Sequence, residues 1–310
     1  MTTDLLIKGL FAAIIGGMFS WIVFSRYDAE IGEENGTTDR QRYLPYVPGM
    51  VLPLFLAVLV GLTLFYDGGK AATQMTLSFC FGIFLHISVY YVLLMAALPL
   101  LRRHFSARAC AMLWMIPNYL YITEQSYMEL SMPLFVIQAQ GRWIWILFGV
   151  WVVGFVGVLG WKLLSHLVFR RRILRNAVTV SDPEVLSIWN SELKNANFKK
   201  PRFQLVVSPQ VSTPLSVGLF QRRIRVVLPD RFYSKEELAL IFRHEIVHIG
   251  REDSWSKFFL VFCTAMCWFN PLMWIAMRKS ADDLELSCDE TVLVGCQEDT
   301  RHEYANLLLK

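Results

Sequence analysis

Long apolar runs nearly free of charge fill most of the first 169 residues of this chain, and they leave few ways to fold. A run of about 20 apolar residues crosses the hydrocarbon of a bilayer as a helix, because lipid offers no partner to an exposed N–H or C=O. The runs predict spans at Leu5–Phe24, Pro45–Tyr66, Thr76–Leu101, Ala109–Thr123 and Trp143–Phe169. Composition agrees, since 55% of the 310 residues are hydrophobic and 18% are charged, too apolar for an ordinary soluble protein. From Arg170 to Lys257 the sequence returns to globular character. The expected division is a transmembrane domain over 1–169 and a soluble domain over 170–310.

Lys and Arg near span ends set orientation, because they stay on the cytoplasmic side. Arg40 and Arg42 follow the first run, Arg102, Arg103 and Arg108 separate the third from the fourth, and "FRRRILR" (Phe169–Arg175) follows the fifth. The intervening loops carry little beyond Lys70 and Arg142. The three clusters agree only if the N-terminus lies outside, five crossings precede Arg170, and the soluble half is cytoplasmic. Leu5–Phe24 lacks a small-residue cleavage site and is closed by Arg26, so a retained anchor is expected. These clusters account for the net charge of +4, which calls for no direct nucleic-acid partner. The six cysteines contain no C-x-x-C pair and are expected as reduced thiols, with Cys263 and Cys267 as packing residues.

In the soluble half, Ser181 and Pro183 open a helix to about Asn197, and Phe203–Val207 reads as a strand. "SVGLFQRRIRVVLP" has two apolar runs separated at Gly218 and at Gln221–Arg223, the pattern of a hairpin ending at Pro229. Its second arm, Arg223, Ile224, Arg225, Val226 and Val227, is the candidate edge strand for binding an extended peptide. Ser234 and Glu237 then form a capping box that starts the helix containing "LALIFRHEIVH", Leu238–His248. His244 and His248 lie four residues apart on one face and can grip one metal ion. Glu245 is placed to deprotonate a water at the same ion, as in the H-E-x-x-H zinc signature. A catalytic zinc needs a third protein ligand, and Glu285 in "DDLELSCDE" is the candidate, with Asp289 on the same helical face able to orient a ligand histidine. Asp253, five residues after His248, is a second orienting candidate.

These blocks carry a resemblance. "HEIVHIGREDSW", the apolar run ending in "NPLMW", Glu285 to Asp289, "STPLSVGLFQRRIRVVLP" and the arginine cluster resemble the BlaR/MecR family of membrane-embedded zinc metallopeptidases, over roughly residues 142–310. The resemblance implies an α-helical transmembrane bundle with a cytoplasmic α+β zincin-like domain of the gluzincin type. It implies Zn2+ on His244, His248 and Glu285, with Glu245 as general base and Asp289 behind a ligand. It also implies signal transduction by cleavage of a protein substrate, either a cytoplasmic transcriptional repressor or the chain itself. The lipid bilayer is the other expected partner, with homodimerisation left open. One departure stands out: five apparent spans exceed the three of the family's antibiotic receptors. A weaker resemblance runs to CAAX or HtpX proteases, which lack this hairpin and the N-P-L-x-W combination. A non-catalytic receptor with a structural zinc is disfavoured, because such sites are closed by four protein ligands and would give Glu245 no task. The run Phe258–Met277 is long enough to span, but Pro271 breaks it, and a full crossing would part Glu285 from His244. A helical pair returning to the same side is expected.

Overall fold

A computed structural model describes residues 51–66, 68–117, 142–196, 198, 203–220 and 223–308. The span expected at Leu5–Phe24, the start of the one at Pro45–Tyr66, and Arg40 and Arg42 lie outside the described residues. Helices α1 (Val51–Tyr66), α2 (Gly68–Leu101), α3 (Ala107–Leu113) and α4 (Trp143–Leu174) come first. Strand β1 (Val178–Thr179), helix α5 (Pro183–Asn195) and strands β2 (Gln204–Ser208), β3 (Leu215–Val217) and β4 (Arg225–Pro229) follow. Helices α6 (Lys235–Gly250), α7 (Asp253–Met266), α8 (Pro271–Leu293) and α9 (Glu298–Leu308) complete the order.

By packing, the described residues up to 162 group with 256–283, and 163–255 group with the residues from 284 onward. Chain order had suggested one boundary near residue 170; the apolar α7–α8 segment instead packs with the N-terminal helices. Phe259, Leu260, Cys263, Met266, Cys267 and Met273 share a core with Leu52, Ile83, Ile87, Tyr91 and Trp114. The expected break at Pro271 is a turn at 267–270, where the Asn270 Oδ1 accepts from the Leu272 N–H at 3.0 Å. The turn is tied down from α2 and α4: the Asn270 amide donates to the Ser88 hydroxyl at 2.8 Å and the Trp151 indole donates to the Met266 carbonyl at 3.0 Å.

Two described helices are long and apolar enough to cross a membrane, Thr76–Leu101 within α2 and all of α4. In α4 only 6% of the most apolar window is buried, and Trp145, Val150, Val153, Val156 and Leu164 lie open. A soluble protein does not leave so continuous an apolar surface to water. The described part of the expected fourth crossing is different. Ala107–Leu113 is a seven-residue helix capped by Ser106, and a turn follows at Trp114–Ile116. At 1.5 Å per residue it covers roughly 10 Å, about a third of the hydrocarbon. Residues 118–123 lie outside the described residues.

The second group is built on a sheet of order β1-β2-β4-β3. β1 pairs antiparallel with β2, β2 parallel with β4, and β4 antiparallel with β3. Alternation along the strands separates two faces. Leu205, Ile224, Val226 and Leu228 pack under α5 and α6 with Trp189, Phe242 and Ile246. Val206, Val217 and Val227 pack with Ile173, at the end of α4. The Ser208 hydroxyl, donating to the Ile173 carbonyl at 2.6 Å, fixes that end on the sheet.

The expected hairpin is present as β3–β4, but the expected edge is displaced. β4 lies between β2 and β3, so Arg225, Val226 and Val227 are interior, and Arg223 and Ile224 precede the strand. The edges of the sheet among the described residues are β1 and β3, and β3 is the edge arm of the hairpin. The sequence signal for the hairpin is local, whereas the parallel partner that covers β4 comes from a strand before the hairpin.

Candidate metal centre

α6 starts where Ser234 and Glu237 cap each other: the Ser234 hydroxyl accepts from the Glu237 N–H at 3.1 Å and Glu237 accepts from the Ser234 N–H at 2.9 Å. This fixes the phase of the helix three turns before the histidines, which face the same way at four-residue spacing. Their ring centroids are 4.7 Å apart.

Three potential donor atoms converge. His244 Nε2 and His248 Nε2 are 3.1 Å apart, His248 Nε2 and Glu285 Oε2 are 3.1 Å apart, and His244 Nε2 and Glu285 Oε2 are 3.7 Å apart. Ligands at ~2.1 Å from a tetrahedral ion stand ~3.4 Å from each other, so these separations suit one small cation.

The other ring nitrogens are occupied. His248 Nδ1–H donates to Asp253 Oδ2 at 2.6 Å, and Arg251 backs Asp253 at 3.4 Å while also donating to the Ser287 hydroxyl at 2.9 Å. On the other ring, His244 Nδ1 lies 2.7 Å from the Tyr304 hydroxyl, which donates to Asp289 Oδ1 at 2.6 Å. Asp289 itself stands 3.3 Å from His244 Nδ1, so its hold on that ring runs mainly through Tyr304. A proton kept on each Nδ1 leaves each Nε2 lone pair facing the gap, the tautomer a metal requires.

Burial opposes charge on both rings, yet the acceptors prevail. Asp289, Cys288 and Glu285 around His244, and Asp253, Cys288 and Glu285 around His248, hold both pKa values above the ordinary imidazole range. Burial raises the Cys288 thiol, but the two histidines outweigh it and leave the pKa lowered. The Tyr304 phenol is raised, chiefly by burial. A cluster of this kind draws protons or a cation, and a metal ion would replace the protons.

Cys288 competes with Glu285 as the third donor, since His244, His248 and Cys288 also form a group able to hold a metal. Position favours Glu285. The Cys288 sulfur lies 3.5 Å from Nδ1 of His244, behind the ring, and donates to the His244 carbonyl at 3.4 Å. Glu285 reaches the Nε2 side of both rings. Its side chain is 48% exposed, against 11% for His248, so the gap opens to solvent through the glutamate. Glu245 is buried on α6, one residue on from His244.

A small cleft adjoins His248, lined also by Ser216, Gly218, Leu219, Ile224 and Glu252. Gly218 has φ +140°, and a Cβ there would lie 2.7 Å from the Arg223 carbonyl oxygen, so only glycine lets β3 turn back toward β4 at this point.

Thus His244, Glu245, His248, Asp253, Glu285 and Asp289 belong to one neighbourhood, while Arg225, Val226 and Val227 form an interior strand. Arg251 enters the site unforeseen, as does Tyr304 in its role between His244 and Asp289. Arg301 and His302 are exposed on α9. Arg251 sits between His248 and Asp253 in sequence and was open to recognition; Tyr304, fifteen residues beyond Asp289, follows no local period.

Comparison with known proteins now adds a decisive observation: the family described as BlaR1 peptidase M56 matches residues 117–310. The chain belongs to this BlaR1-type peptidase family. It is 28% identical to the regulatory protein BlaR1 of Bacillus licheniformis over 163 residues, which are 53% of this chain and 27% of that protein. It is 27% identical to the methicillin resistance mecR1 proteins of Staphylococcus aureus strain Mu50 and Staphylococcus epidermidis over 131 residues, 41% of this chain and 21% of theirs. The matched part is thus about a quarter or less of each relative's length. The clustered donors give this member of the family a candidate metal-binding group.

Proposed function

We propose that this chain is a zinc-dependent endopeptidase of the membrane that cuts a protein substrate, either itself or a cytoplasmic regulator such as a transcriptional repressor. The convergence of His244, His248 and Glu285, with both Nδ1 atoms tied to other partners, carries the reading. In this reading those three residues hold the ion, and Asp253, Tyr304 and Asp289 keep the rings in register. Bound there, zinc lowers the pKa of a water toward neutrality and stabilises charge that develops on the substrate carbonyl. Glu245 accepts the proton of the attacking water and delivers it to the leaving amine nitrogen. Its position directly after His244 on α6, buried, supports this role without requiring it as a ligand.

The substrate backbone is held by β3, whose free edge Leu215–Val217 borders the cleft and beside which α6 packs. An extended peptide that adds to this edge passes His248 with its side chains alternating in and out. The names of the relatives, a regulatory protein and resistance proteins, support a signalling role. The basic cluster Arg170–Arg175 at the C-terminal end of α4 supports a cytoplasmic peptidase domain.

The test separates ligands from base. In detergent-purified protein, Glu245→Ala should retain zinc near one ion per chain and lose cleavage by ~10²–10⁴-fold. His244→Ala, His248→Ala or Glu285→Ala should lose zinc and cleavage together. Cleavage unchanged in Glu245→Ala refutes the base assignment, and zinc unchanged in Glu285→Ala moves the third ligand elsewhere.

A further inference from the structure

Between Trp143 and Phe169 the only Lys, Arg, Asp or Glu is Lys162. It lies roughly 28 Å along α4 from Trp143, close to the ~30 Å thickness of a bilayer's hydrocarbon. Lys162 is half-buried, and what covers it is aromatic: its ammonium stands 5.1 Å from the centre of the Trp161 ring and 5.6 Å from that of Trp274 on α8. The two rings are 6.5 Å apart and inclined at 41°. Their faces attract the charge, but they give its three N–H bonds no oxygen to donate to.

Among the described residues, no carboxylate or other hydrogen-bond acceptor reaches Lys162, and none reaches the indole N–H of Trp161, a residue 57% exposed. Neighbouring indoles differ: Trp151 donates to the Met266 carbonyl and Trp274 to the Trp268 carbonyl, each at 3.0 Å. On a soluble surface water would serve the unmet donors, whereas lipid tails cannot. An ammonium in or beside hydrocarbon is costly unless it meets an anion. Two adjacent donors of this kind suit a compact anion with several acceptor oxygens, carried by a molecule at home among apolar side chains. The phosphate of a phospholipid has both properties. A zwitterionic headgroup brings its own cation to that phosphate, whereas a headgroup of net negative charge leaves the pairing to Lys162.

We propose that Lys162, with the indole N–H of Trp161 and the ring face of Trp274, binds the phosphate of an anionic phospholipid at the edge of the bilayer. This rests on the reading of α4 as a membrane helix.

In the test, phosphatidylglycerol or phosphatidylcholine is added to the chain in detergent, and bound lipid is counted by native mass spectrometry. One phosphatidylglycerol per chain should be held ~5-fold more tightly than phosphatidylcholine, the effect of one basic residue on an anionic lipid. Lys162→Gln should abolish that preference, and Lys162→Arg should keep it. Trp161→Leu, which removes one ring and one N–H, should reduce it, and stands in if Lys162→Gln does not fold. Lys194→Gln, which takes the same charge from the end of α5, should leave it unchanged. A preference that survives Lys162→Gln, or Trp161→Leu where that variant stands in, or that falls as far in Lys194→Gln, overturns the proposal. Displacement of the lipid by excess inorganic phosphate also overturns it, because the site would then take a free anion and not a headgroup. If the wild type retains neither lipid, the membrane reading of α4 has failed and the proposal falls with it; if it retains both alike, that reading stands and the headgroup site has failed.

Discussion

His248 shows how much of the site is decided one atom at a time. Its Nδ1 proton goes to Asp253 at 2.6 Å, and this bond, supported by Arg251, leaves Nε2 free to face Glu285. Asp253→Asn should cost ~10–100-fold in zinc affinity while leaving the folded chain in place, as a chelator competition will show. The pH dependence has a definite sign. Because both histidines hold protons more tightly than free imidazole, zinc must displace them, and its affinity should fall as pH falls, beginning above the ordinary histidine pKa of ~6.5. In Asp253→Asn, the loss of the acceptor weakens proton binding at His248, so the onset should move to lower pH. Titrations from mildly alkaline to mildly acid buffer will display both; an onset that does not move would show that Asp253 does not govern this ring. The histidine spacing and the nearby acids were legible because a helix repeats locally. Tyr304 was not, because its approach to His244 depends on where α9 docks.

Among the elements, α4 and the turn after α7 meet at a contact that admits no side chain. A Cβ on Gly154 would fall within the Trp268 ring, whereas Gly149, Gly157 and Gly160 on the same helix have open space. Gly154→Ala should therefore destabilise the protein by about 1–3 kcal/mol by forcing the indole aside, and Gly157→Ala should not. Thermal melts of the two variants in one detergent check this; equal midpoints would mean the ring moves freely. The capping box, the break at Pro271 and the β3–β4 hairpin could all be read in advance, since each is written in neighbouring residues. The start of α5 was read one residue early, the N-cap being Asp182, whose carboxylate accepts from the Glu184 N–H at 2.8 Å. Sheet order was beyond local pattern. That β4 is interior follows from its parallel pairing with β2, a long-range choice made by which faces α5, α6 and Ile173 can cover. At Ala109–Thr123 the described backbone turns after Leu113, with Trp114 and Met115 buried, and the rest of that expected span lies outside the described residues.

At the scale of the whole molecule, the exposed apolar surface of α4 is one that a bilayer would cover, and the proposed cytoplasmic placement of the residues beyond Phe169 is open to a direct test. A cysteine placed at Asn195, at the end of α5, should stay unlabelled by a membrane-impermeant thiol reagent in intact cells and react after lysis. Labelling of intact cells would reverse the orientation. The metal site also spans a wide interval of chain: His248 and Glu285 are 37 residues apart and meet only because the α7–α8 segment turns back at 267–270. An ion held by both would act as a removable cross-link. By the relation between closed-loop size and chain entropy, tying a loop of that length lowers the freedom of the unfolded chain by an amount worth about 4 kcal/mol. Stripping the metal should then lower the melting temperature as reduction of a disulfide does, and the stability of this chain would follow the supply of free zinc around it.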